Sequence, residues 1–206
     1  MARLALVAVS IVALTGCVPR ADAAPSSPPS AGATQGATPT PTAVASPGPG
    51  QQDADDPSTW IVSGAGIGPV TIGSDVGEFS VVGPYTEQDE DCPNPAVHSL
   101  AGDGVAPMTV VAVDGWSPVA SVHVTSWGAQ GTQVASPRTA EGIGLDSSLA
   151  DVQSAYPGIE LSDTHGETLQ YASSDQGGWV IFTVQDDVVV QVSASTTSHN
   201  PSERCG

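Results

Sequence analysis

Three cysteines, four histidines and a run of carboxylates are the side chains in this 206-residue chain that could carry chemistry. Cys92 and Cys205 are not part of a C-x-x-C motif, and no histidine lies at ligand spacing from either, so zinc chemistry is not expected of them. His98, His123, His165 and His199 are scattered, with no H-E-x-x-H among them. The chain has no G-x-S-x-G, so the usual serine-hydrolase elbow is missing. His123 sits in Ser121-Val122-His123-Val124-Thr125. Strand alternation puts Val122 and Val124 on one face and His123 on the other, with Ser121 and Thr125. The expectation is an exposed surface histidine. Glu87, Asp89, Glu90 and Asp91 form an acidic loop before Cys92. Oxygen-rich loops can hold Ca²⁺, but this one lacks EF-hand spacing and the turn glycine, so it reads as a solvated loop. Gly64-Ala65-Gly66-Ile67-Gly68 lacks the spacing and the lysine of a phosphate loop and reads as tight turns between short strands. No catalytic residue, metal site or cofactor is expected, and the chain reads as a non-enzyme.

Leu14-Thr15-Gly16-Cys17 has a different chemistry. It closes a short apolar run from Leu4 to Leu14 that follows Arg3. About eleven residues is the length of a signal-peptide core, and a bilayer span needs about twenty. The motif resembles the bacterial lipobox. That resemblance implies removal of residues 1–16 and a diacylglyceryl group on the Cys17 sulfur, with palmitate-type acylation of the new amino terminus. One acyl chain holds a protein to a membrane only marginally, whereas two or three hold it stably. The expected location is the extracytoplasmic face of the cell membrane, with the membrane itself a partner through the lipid. In that oxidising compartment Cys92 and Cys205 are an even pair and are expected to form a disulfide.

Val18 to Pro57 is low-complexity and holds half of the chain's 18 prolines and no aromatic residue. Such a segment cannot bury enough apolar surface to offset its ordering entropy. Residues 17–57 therefore read as a lipidated, disordered stalk of Pro, Ser, Thr and Ala, spanning roughly 35 Å as a flexible coil. Residues 58–206 remain as the globular part. The formal net charge is −18, with no lysine and only four arginines. A surface this acidic repels nucleic acid, and no nucleic-acid partner is expected.

Two features recur at one spacing within the globular part. Ile72-Gly73 with Asp75 is echoed by Ile143-Gly144 with Asp146, and Met108 to Val113 by Trp179 to Val184. Each of these strands leads through an acidic turn into a second one, Val119 to Thr125 and Val188 to Ser195. Asp146 or Ser147 can cap a short helix whose Leu149, Val152 and Tyr156 share a face and which Pro157-Gly158 stops. A weaker helix, Asp75 to Val82, contains Gly77. Thr168 to Ser173 reads as a further strand. The pattern predicts an α+β fold of two similar repeats, about 58–130 and 138–206, each a short helix followed by an antiparallel β-meander.

The stretch Gly142 to Pro157, together with the ending Ser202-Glu203-Arg204-Cys205, is similar to a signature of secreted and lipid-anchored proteins of high-GC Gram-positive bacteria. The unit order resembles the tandem modules of the β-lactamase inhibitory protein and of outer-membrane assembly lipoproteins. It departs from the inhibitor, which keeps a disulfide within each repeat. The resemblance implies a protein-binding, scaffolding or inhibitory module with an envelope or secreted protein as partner. Trp60 and Trp179 lie in strand-like runs and are expected in the core. Trp116 and Trp127 flank a strand, where aromatics can anchor a partner, and they mark a candidate binding surface. The expected binding face is the open face of the sheet with its hairpin tips. The alternative reading is a surface receptor for a small ligand or cation, bound through the acidic loops.

Overall fold

Valine-rich runs dominate the chain after residue 58, and β-branched side chains pack best on a pleated surface. The computed structural model describes residues 52–79, 81–88, 92–115, 117–127, 134–201 and 204–205. Thirteen strands are formed among them. They are β1 (Ile61–Ser63), β2 (Gly66–Ile67), β3 (Val70–Thr71), β4 (Val81–Val82), β5 (Tyr85–Glu87), β6 (Val97–Ala101) and β7 (Met108–Ala112) in the first part. β8 (Val119–Thr125), β9 (Arg138–Thr139), β10 (Glu160–His165), β11 (Thr168–Asp175), β12 (Gly178–Gln185) and β13 (Val188–Ser195) follow. One α-helix, α1 (Leu149–Ala155), interrupts them.

The strands make two sheets. The larger runs β10-β11-β12-β13-β8-β7-β6-β5-β4, antiparallel throughout, and the smaller runs β3-β2-β1-β9. The small sheet and α1 share a core with one face of the large sheet, where Val122, Val124, Val180, Phe182, Val184, Val192 and Met108 meet Trp60, Val62, Ile67, Val70 and Val152. Each fully buried valine contributes about 1.5–3 kcal/mol.

This architecture corrects the α+β expectation of two units, each a helix with a meander. Among the described residues the chain is predominantly β, with one seven-residue helix. The expected helix from Asp75 to Val82 is a single 3-10 turn, Val76–Glu78, capped by Asp75. Gly77 weakens helix there, and the β-branched pair Val81 and Val82 is taken instead into β4, against β5. Strands from both stretches, 58–130 and 138–206, merge in the large sheet, because β8 pairs directly with β13. Within it, the entry turns are tied alike. Gly73 N–H donates to Val119 O and Val119 N–H to Ser74 O, while Asp146 N–H donates to Val189 O and Val189 N–H to Ser147 O.

Local chemistry explains the remaining joints. Ser148, one residue beyond the expected caps Asp146 and Ser147, caps α1 in a capping box with Asp151. Asp186 and Asp187 both have positive φ in the two-residue hairpin between β12 and β13, the geometry whose twist matches the strands. Residues 52–57 also belong to the fold. Pro57 is buried, and the buried Trp60 donates its indole N–H to Asp53 O at 2.7 Å.

Candidate functional site

The second face of the large sheet carries Thr109, Ser121, His123, Gln170, Thr183, Gln191, Ser193 and Ser195, interleaved with the valines of the core face. Of these, Ser121, His123, Gln170, Thr183, Gln191, Ser193 and Ser195 are buried. A polar face cannot be buried without hydrogen bonds, and here the C-terminal segment supplies them. Asn200 N–H donates to Gln170 Oε1 at 2.8 Å, and Gln170 Nε2 donates back to Asn200 O at 3.1 Å. Asn200 Nδ2 donates to Ser193 Oγ at 3.0 Å. The segment is then fastened by the disulfide between Cys92 and Cys205 and by Asn94 Nδ2 donating to Arg204 O.

His123 lies under this strap, only 1% exposed, which corrects the expected surface histidine. The alternation was as expected, with Val122 and Val124 in the core, but the opposite face is covered. Arg204 Nη2 reaches His123 Nδ1 at 3.2 Å. A guanidinium can only donate, so Nδ1 is an acceptor and the ring is the neutral Nε2–H tautomer. Nε2–H then donates to Ser121 Oγ at 2.7 Å, and Ser193 Oγ donates to Nδ1 at 2.8 Å. Ser193 Oγ in turn accepts from Asn200 Nδ2 and from Gln191 Nε2. Burial holds His123 well below the ordinary histidine value, and the Arg204 charge adds to the effect. Burial likewise pushes Arg204 down to about 10. The trio of Ser193, His123 and Ser121 has no carboxylate on it and binds its hydroxyls within the protein. It is a cross-link between sheet and strap.

Where the strap ends, the covered face opens into a cavity of about 100 Å³ lined by Trp127, His165, Thr168, Gln170, Thr183, Gln191, Pro201 and Arg204. Trp127 lies two residues past the end of β8, its backbone N–H donating to Thr125 Oγ1, and it is 48% exposed. Arg204 also lines the cavity and reaches Gln191 Oε1 at 3.5 Å. Two buried polar atoms of the strap have no partner, Arg204 Nε and Asn200 Oδ1. Two wider grooves exist elsewhere. One of about 540 Å³ is lined by Arg138, Glu141, Ser147 and Asp151 among others, and one of about 420 Å³ by residues of and around β5 and β6. In the first, Arg138 is exposed and already donates to Gly142 O.

The sequence-expected residues are placed as follows. Trp127 lines the small cavity, while Trp116 and Cys17 lie outside the described residues. Trp60 is in the core, but Trp179 is only half-buried, because it alternates to the strap side of β12. Of the acidic loop, Glu87 bonds His98 Nδ1 at 2.7 Å, and Asp89, Glu90 and Asp91 lie outside the described residues. Gln191 and Asn200 carried no signal in the sequence, and Arg204 entered only as part of the ending Ser202-Glu203-Arg204-Cys205, not as a site residue. The available signal for Arg204 was its position beside Cys205, which the disulfide was expected to draw back onto the domain. Among the described residues no group of three His, Cys, Asp or Glu side chains is placed to hold a metal ion, and no helix is long and apolar enough to cross a membrane. No family model, curated protein or solved structure matches the chain.

Proposed function

We propose that this is a lipid-anchored protein of the extracytoplasmic membrane face that binds another envelope or secreted protein without catalysing a reaction. Trp127 carries the reading. It is a large aromatic, 48% exposed, at the rim of a small cavity, and aromatics so placed are typical anchors of protein interfaces. The size of the cavity favours a macromolecule over a metabolite. About 100 Å³ admits one side chain or terminal group, whereas small-molecule sites run to roughly 300–1,000 Å³. Capture of a small ligand or cation through the acidic loops is the weaker alternative, since Glu87 is occupied by His98. The absence of a carboxylate on the buried Ser–His–Ser trio supports a non-catalytic role.

Two measurements test the proposal. Cys17→Ala should move the protein from the membrane to the soluble fraction, and unchanged retention would remove the anchor. A photo-crosslinking residue at position 127 of the anchored protein should give one discrete protein adduct, absent when the same residue is placed at exposed Val188. No adduct at 127, or equal adducts at both positions, would remove the interface.

A further inference from the structure

We infer that the cavity between Trp127 and Arg204 receives a single carboxylate of a partner polypeptide. The polypeptide carrier rests on the protein-binding reading above, whereas the preference for a carboxylate rests on the cavity alone.

The charge is the first argument. The chain has 22 carboxylate side chains and four arginines. Arg138 and Arg204 are the arginines among the described residues, and Arg138 is exposed. Arg204 is half-buried and makes no ion pair among the described residues. Its side-chain partners among the described residues are neutral, the ring of His123 and the amide of Gln191, and its Nε is buried without a partner. A guanidinium sheltered from water and left unpaired is costly. A carboxylate regains that cost through charge-assisted, bidentate hydrogen bonds. Among the described residues no carboxylate pairs with this sheltered cation.

The second argument is the lining. Gln170, Gln191 and Thr183 are neutral and already bonded within the protein, so they give the cavity polarity without a competing charge. Thr168 is paired through its backbone with His165 in the ladder, while its hydroxyl makes no hydrogen bond among the described residues and lines the cavity. Trp127 forms the apolar wall for the methylene or methyl that carries the carboxylate. Size and field then narrow the ligand class. About 100 Å³ excludes a nucleotide or sugar. His165 also lines the cavity, but its one permanent cation, the Arg204 guanidinium, balances one negative charge, and a molecule of net charge −18 repels a dianion more than a monoanion. A phosphate is therefore disfavoured.

The test uses the mature protein in detergent micelles with fluorine-labelled tryptophan, the Trp127 resonance being assigned by Trp127→Phe. Four probes are titrated at constant ionic strength: acetyl-alanine, acetyl-aspartate amide, acetyl-alanine amide and inorganic phosphate. A carboxylate site predicts a saturable shift of the Trp127 resonance with one or both carboxylates, little with phosphate and none with the neutral amide. Acetyl-alanine alone identifies a chain terminus as the source, and acetyl-aspartate amide alone identifies a side chain. Arg204→Gln should raise the half-saturation concentration by about tenfold or more. Should that variant fail to fold, Thr168→Glu, which places a carboxylate at the cavity, should weaken binding likewise. A response equal for acid and amide, equal for phosphate, or unaltered in the variant that folds would overturn the site. Carboxylate binding without a crosslinked partner at position 127 would leave the site standing and remove the polypeptide carrier. A crosslinked partner without carboxylate binding would do the reverse.

Discussion

His123 is neutral because three neighbours dictate its protons, and that has a consequence for stability. Its folded-state value lies well below the 6.5 of a free histidine. Below pH 6.5 the unfolded chain therefore takes up a proton that the folded chain refuses. The stability contributed by the neutral ring is fully present above pH 6.5 and is lost as pH falls. The slope approaches about 1.4 kcal/mol per pH unit from this one group. Urea midpoints measured between pH 7.5 and pH 5 should fall with acidification, and His123→Gln should flatten that fall. An equal slope in the variant would mean that the ring is not the group refusing the proton. The alternation in Ser121 to Thr125 was legible in the sequence. The burial of its polar side was not, since it depends on Gln170, Ser193 and Asn200, far along the chain.

Backbones touch where the two sheets join, and glycine is required there for lack of room. A Cβ on Gly178, the first residue of β12, would lie 2.2 Å from Gly64 O, and one on Gly64 would lie 1.9 Å from Asp175 O. Backbone atoms cannot yield as a flexible side chain can, so Gly178→Ala should cost about 3 kcal/mol or more. Gly158, after α1, has nothing within 4 Å of such a Cβ. Gly158→Ala should stay within about 0.5 kcal/mol of the parent. Chemical denaturation of the two variants checks the contrast, and similar losses would contradict the packing. The sequence marked β8 and β13 residue for residue, because valine alternation and hairpin turns are local signals. It did not mark β6 or β10. β6 (Val97–Ala101) is short and contains His98 and Ser99, and β10 has only Leu161 as a large apolar residue.

Closure of the whole domain depends on its two ends. The disulfide spans 113 positions, for which the chain-entropy relation gives about 4–5 kcal/mol as an upper figure. Reduction, or Cys92→Ala with Cys205→Ala, should lower the melting temperature and free the strap. Amide exchange at Asn200 should then rise well before exchange in β12. Simultaneous exchange would mean that the strap is held by its hydrogen bonds alone. At the other end, a chain beginning at residue 58 loses Asp53 and leaves the buried Trp60 indole N–H unpaired, at about 1–3 kcal/mol. Its melt should fall below that of a chain beginning at residue 52, and coincident melts would show that the contact is dispensable.

Composition and local pattern alone determined that this chain is acidic, valine-rich and built of hairpins, since charge counts, strand alternation and turn residues act over a few positions. The pairing expected for Cys92 and Cys205 also followed from counting, and the two sulfurs are joined. Tertiary structure decided that Val81 and Val82 are strand and not helix, since β5 offers hydrogen bonds that a helix containing Gly77 could not match. It also decided that one face of the sheet is roofed by the C-terminal residues and that Arg204 comes to rest beside Trp127. Those residues are 77 positions apart, and no short-range periodicity connects them. Only closure of the chain brings a cation, an aromatic wall and a ring of neutral polar groups around one small cavity.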